Sequence, residues 1–334
     1  MSSLPASRHH DMSHRHTVQT ATTPSAAPTV PPGPQSRTPM ADPDRKGRHM
    51  DALDPFFQRE LLRDRLKRAR EQAGLTQREV ATALDWSPSK VIRIENGKNR
   101  VSPSDVRILI QHYGAGQEEQ ETLIAMGRAA RLPSWWEPWR TVATPNFLTY
   151  LTYETSAPII RNFEPNLIPG LLQTEEYASH LLKGLEETQD KAEALLQLRL
   201  ERQARVLRPD GPSMWFIIDE SALRRTVGNE AVMRRQLENL VQLNEVENVH
   251  IMYVPFSAGI YPLFRSPYVV FEFPEQDYDL VSYVESPDGE VLFSEKAPGR
   301  SGQRAPSDYL EAFWETERGA ARELPARILD LPAV

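Results

Sequence analysis

The chain has 334 residues, 40% of them hydrophobic, a formal net charge of −7 and no cysteine. That length suits two modest domains, or one domain with extensions. Without cysteine there are no disulfides, thiolate metal sites or cysteine nucleophiles, which suits a reducing cytoplasm, and no run of about 18 apolar residues offers a membrane span.

Residues 1–54 are crowded with Ser, Thr, Pro and Ala and hold five of the eight histidines. Such a composition buries too little to repay its ordering entropy, so a disordered tail is expected there. His9, His10, His14 and His16 are read as part of that tail and not as a metal site. The segment lacks the basic-then-apolar pattern of a secretory signal, and the true start is Met1, Met40 or Met50. Charge then divides the chain. Residues 55–131 carry 14 basic against 10 acidic side chains, and residues 132–334 carry 19 against 31. A net +4 beside a net −12 means the acidity belongs to the C-terminal part, while 55–131 has the sign a phosphate-facing module needs.

Within 55–131 the apolar spacing predicts a set of short helices. Phe57 to Ala73 places Leu61, Leu62, Leu66 and Ala69 at helical intervals and stops at Gly74. Thr76 and Glu79 form a capping-box pattern for the next helix, whose buried stripe is Val80, Ala81 and Leu84. Asp85 and Trp86 make a tight turn at a place that often holds glycine. Ser87 and Pro88 start a third helix, with Val91 and Ile94 pointing inward and Gly97 ending it. Ser102-Pro103 starts a fourth helix, and a fifth covers roughly 117–130. A three- to four-residue turn between the second and third helices suits a helix-turn-helix.

The stretch "LKRAREQAGLTQREVATALDWSPSKVIRIENGKNRVSP" resembles the phage Cro/CI-repressor type of helix-turn-helix, the Xre family. The resemblance implies an all-α DNA reader whose third helix enters the major groove. It assigns base contacts to Ser89, Lys90 and Arg93, with Arg93 suited to grip guanine bidentately. Phosphate contacts fall to Gln77, Ser87, Asn96, Lys98 and Arg100, with Gln77 also placed to brace the recognition helix. Glu95 is implied to form a structural ion pair with Arg70. One departure stands out, because Pro88 takes a position where many relatives carry a polar base reader.

Residues 132–334 read as an α+β domain. Trp135, Trp136 and Trp139 cluster around Pro138; they form either a ligand cage or, more commonly, a packing anchor. Phe147 to Phe163 is expected to be helical with a bend at Pro158. Helices follow from Thr174 and over about 189–208. "MWFIID", "NVHIMYVP", "SPYVVFEF" and "DLVSYVE" read as strands, the last two as a hairpin across "PEQDY". "NEAVMRRQLENLVQL" is a helix between the first two strands, and 306–319 is the last. If this half holds a pocket, the three tryptophans with Tyr261 and Phe264 are its expected lining.

"SWWEPWR", "YETSAPIIRNFEPNLIPGLLQTEEYA", "IDESALRR" and "YVESPDGE" resemble a large actinobacterial set of regulators. In these an Xre-type domain is fused to a C-terminal domain of unassigned function, often described as antitoxin-like. The sequence carries no glycine-rich phosphate loop, HExxH or GxSxG pattern, so neither an enzyme, a cofactor nor a metal is expected. The expected protein is multidomain: a tail, an all-α helix-turn-helix domain over 55–131 and an α+β regulatory or partner-binding domain over 132–334. It is expected to be a dimeric, cytoplasmic transcriptional regulator, a repressor or antitoxin-like autoregulator on a double-stranded DNA operator. The alternatives are a module holding a small partner protein encoded nearby, and a small-molecule sensor.

Overall fold

A computed structural model describes residues 53–97, 101–274, 278–286, 289–295, 297, 304–326 and 328. The tail expected over 1–54 lies outside the described residues except for Leu53 and Asp54, and these two are buried. Asp54 caps helix α1 (Pro55–Gln72): its Oδ1 accepts from the Phe56 amide at 2.8 Å, and Pro55 opens the helix with no N–H left over. The same carboxylate accepts from the Ser134 hydroxyl at 2.8 Å, and the Asp54 amide donates to the Ser156 hydroxyl at 3.1 Å. The folded chain therefore begins before residue 55, tied at once to its C-terminal half.

The all-helical part continues with α2 (Gln77–Ala83), α3 (Pro88–Glu95), α4 (Pro103–His112) and α5 (Gln117–Ala129). Thr76 and Glu79 close a complete capping box on α2. Ser102 caps α4 through the Asp105 amide at 3.0 Å. Ser87 precedes α3 in extended conformation, but its hydroxyl makes no cap hydrogen bond and stays exposed. Phe57, Leu61, Leu62, Leu66, Val80, Val91, Val106, Leu109, Ile110 and Leu123 fill the space between these helices, each almost wholly buried.

Beyond Trp139 the chain builds a mixed seven-stranded sheet, ordered β6-β5-β4-β1-β2-β3-β7 among the described residues. The strands are β1 (Ile159–Glu164), β2 (Ser213–Asp219), β3 (Val249–Val254), β4 (Tyr268–Glu272), β5 (Val281–Ser286), β6 (Gly289–Ser294) and β7 (Arg322–Glu323). β1, β2 and β3 run parallel, connected by helical crossovers, as parallel neighbours require. β4, β5 and β6 form an antiparallel meander against β1. Helices α6 (Pro145–Ser156), α7 (Glu175–Leu185), α8 (Gln189–Val206) and α10 (Glu230–Leu243) contribute to the core on one face. Helix α11 (Pro306–Gly319) covers the other, over Phe163, Ile217, Val254 and Val270. The short α9 (Glu220–Arg224) follows β2.

The expected helix over Phe147–Phe163 is corrected: it ends at Ser156, and residues 159–164 become β1, an interior strand. Pro158 is the reason. A residue before proline is pushed out of the helical region, and Ala157 adopts φ −72°, ψ 132°. Ile160, Asn162 and Glu164 then face α6–α8, while Phe163 faces α11.

Asp85, in the turn between α2 and α3, has φ +54° and is held by the Trp86 amide donating to the Ala81 carbonyl at 2.8 Å. A left-handed residue with a Cβ costs roughly 1–2 kcal/mol, less for aspartate than for β-branched side chains. We expect Asp85→Gly to leave stability unchanged or slightly raised and Asp85→Val to lower it by about 1–2 kcal/mol. Thermal melts of the two variants check this, and equal melting points would count against the turn geometry.

Candidate nucleic-acid interface

Helix α3 has one buried and one exposed side. Val91, Ile94 and Glu95 are buried, whereas Ser89, Ile92, Arg93 and Asn96 are exposed. The exposed set falls at i, i+3, i+4 and i+7, a single stripe along the helix. Ile92, 40% exposed, was absent from the sequence-based set although its spacing places it there. An apolar side chain at that point can meet a thymine methyl. Arg93 has no ion pair among the described residues, so its guanidinium is uncommitted.

Lys90 sits differently. Its Nζ lies 3.5 Å from the centroid of the Trp86 ring and 2.7 Å from Asp105 Oδ1, at the start of α4. The cation is held against the turn and away from the stripe of Ser89 and Arg93. Ser87 lies just before the stripe and Asn96 at its far end, both exposed. Lys98 and Arg100 lie outside the described residues.

What holds the stripe in place is a buried carboxylate. Glu95 accepts from Arg70 Nε at 2.6 Å, from Arg70 Nη2 at 3.0 Å and from Gln77 Nε2 at 2.8 Å. Arg70 also donates from Nη1 to the Leu75 carbonyl at 2.7 Å. Arg70 and Glu95 are both more than nine-tenths buried. The hydrogen bonds that Arg70 donates to Glu95 raise its pKa further above an already high value, so the guanidinium stays charged. One network thus ties α1, the start of α2 and the end of α3. Gln77 uses its amide N–H to brace the end of α3.

Residues 61–123 match the profile described as a helix-turn-helix domain. The chain carries a helix-turn-helix domain. A domain of this kind points to DNA binding and to regulation of transcription. Residues 147–312 match a second profile, described as a domain of unknown function (DUF5753). Searches of curated proteins and of solved structures return no match.

The aromatic lining expected for the C-terminal half does not converge. Trp136 is buried, donates to Thr152 Oγ1 at 2.8 Å and packs against Phe56. Trp139 donates to Glu201 Oε2 at 2.9 Å, and Trp135 lies under the Arg205 guanidinium, 4.7 Å from its centroid. Tyr261 and Phe264 contact each other across the sheet, where Tyr261 packs on Phe163 and donates to Asp219. The alternation of β1 separates the groups, since Phe163 points to the α11 face. Helix α1, which leads into the helix-turn-helix match, packs instead on the DUF5753 region. Phe57 of α1 is fully buried, stacked on Phe273 at 4.7 Å and edge-on to Tyr278 at 5.1 Å and Tyr153 at 5.9 Å.

Removing Glu95 would strand a buried guanidinium, a change that costs about 3–5 kcal/mol. Glu95→Ala should therefore lose that much in urea unfolding. Arg93→Ala, at an exposed position, should shift stability by no more than about 0.5 kcal/mol. Equal effects of the two would contradict the division of labour on α3.

Proposed function

We propose that the protein is a sequence-specific transcriptional regulator acting in the cytoplasm, without catalysis, cofactor or metal. In this reading α3 lies in the major groove, with Arg93 on a guanine and Ser89, with Ile92, on neighbouring base edges. Ser87, Asn96, Lys98 and Arg100 take phosphates. The observation that carries this reading is the exposed stripe of α3, braced from behind by Glu95, with an arginine at its centre that has no ion pair among the described residues. One such helix buries little surface, so a homodimer on two half-sites roughly 34–36 Å apart is proposed. Repression, or antitoxin-like autoregulation, follows from the resemblance to Xre-type regulators. The net −12 of residues 132–334 would repel phosphates and so disfavour random DNA.

A second reading rests on that same charge. The acidic half would hold a small basic partner protein, with DNA binding as its regulatory arm. Co-purification with the product of an adjacent short reading frame supports it, and separation of the two at moderate salt counts against it.

For the first reading, gel shifts on the chain's own upstream region should give a discrete complex. Arg93→Ala should weaken it by about 1–3 kcal/mol and relax selection at one base pair. Arg100→Ala should weaken all sequences alike and flatten the salt dependence. Binding that is non-specific throughout and indifferent to Arg93→Ala would overturn the proposal.

A further inference from the structure

On the sheet face covered by α6, α7 and α8, a cavity of about 190 Å³ lies over the ends of β1 and β5. A second, of about 310 Å³, adjoins it and shares Arg199, Arg202 and Glu285. Strand register builds the floor. Asn162 pairs with Val269, which pairs with Tyr283. Two residues further along, Glu164 and Glu285 occupy matching positions of β1 and β5, with the β4 end between them. Two strand spacings put their backbones about 10 Å apart with both side chains on the cavity side.

The polar groups here are incompletely partnered. Asn162 is 8% exposed, and its amide oxygen is buried with no hydrogen-bond partner. An acceptor left so costs stability unless something donates to it. Glu164 makes no hydrogen bond or ion pair among the described residues, and Glu285 accepts only from the Tyr283 hydroxyl at 3.1 Å. On the opposite wall Arg202 is fully engaged by Glu154 and Tyr150. Among the described residues its neighbour Arg199 donates once, to the Gln173 amide oxygen, and has no carboxylate within ion-pair distance.

The titration behaviour points the same way. Burial, reinforced by the Glu285 charge, pushes Glu164 up to about 8. Burial also raises Glu285, and burial next to Arg202 lowers Arg199 to about 10. Loss of water drives charges without a close counter-ion toward neutrality; Glu164 and Arg199 are half-buried here, and Glu285 is exposed.

We propose that this cleft binds a small zwitterion of the α-amino-acid type. Its ammonium sits between Glu164 and Glu285 and donates to the Asn162 amide oxygen, and its carboxylate takes the open guanidinium edge of Arg199. Acceptors on the floor and a free donor on the wall match that ligand's two ends. A purely cationic amine would leave Arg199 unpaired, and a dicarboxylate would meet two glutamates. The site needs no DNA, so it stands apart from the DNA-reading proposal.

The test is titration calorimetry and thermal shift on the full chain, using the standard L-amino acids, putrescine and succinate as probes. At least one amino acid should bind one-to-one and raise the melting temperature, with putrescine and succinate weaker. The Glu164→Gln/Glu285→Gln double variant and Arg199→Gln should each lose about tenfold or more in affinity, as removal of charge-assisted hydrogen bonds does. Asn162→Ala should also weaken binding, and it reads the same site should the double variant fail to fold. No binding by any amino acid, binding undiminished in these variants, or putrescine bound as tightly as the best amino acid would each overturn the proposal.

Discussion

Helices of seven and eight residues, such as α2 and α3, cannot sustain themselves in water, so the angle between them must come from tertiary contacts. Val80, Val91 and Ile94 supply the apolar part of that grip, but apolar packing does not fix rotation about a helix axis tightly. The Glu95 carboxylate does, because it gathers three donors from two other segments and tolerates none being withdrawn. Its desolvation is offset only while those hydrogen bonds are intact. The aim of Arg93 and Ser89 toward solvent is thus the outward consequence of an inward charge pair.

The C-terminal half distributes its chemistry in a way that explains why aromatic clusters mislead. The three tryptophans are consumed as anchors: Trp136 and Trp139 are held by an indole hydrogen bond, and Trp135 lies under the Arg205 guanidinium. Large flat side chains release the most free energy when fully packed, so a chain with a core to close uses them there. The open volume lies instead among Asn162, Glu164, Arg199 and Glu285, where charges resist close packing.

Much of this was legible in the residues themselves. The helices of the reader, the capping box at Thr76 and Glu79, and four of the strands follow from local periodicity and cap chemistry, which act within a few residues. β1 was hidden because its polar positions, Asn162 and Glu164, break the apolar pattern of an interior strand, and because Pro158 reads equally as a bend. β6 and β7 carry too few buried side chains to stand out. The stripe on α3 was partly legible: spacing alone includes Ile92, while the capture of Lys90 by Trp86 and Asp105 depends on α4, fifteen residues downstream. The cleft was illegible for a similar reason. Its floor comes from β1 and β5 and its wall from α8, brought together only by the strand order.

Phe57 belongs by sequence to the reader and by packing to the sheet domain, and Asp54 beside it holds Ser134 and Ser156. The first helix and the sheet domain are therefore not interchangeable parts. A lineage that exchanged its DNA-reading helices by recombination at the loop after α5 would leave Phe273 and Tyr278 facing a stranger's first helix. Such exchanges would survive only where the incoming helix brought an aromatic at the same turn. Change in the helical domain is thereby steered toward point substitutions at exposed positions, such as the stripe along α3.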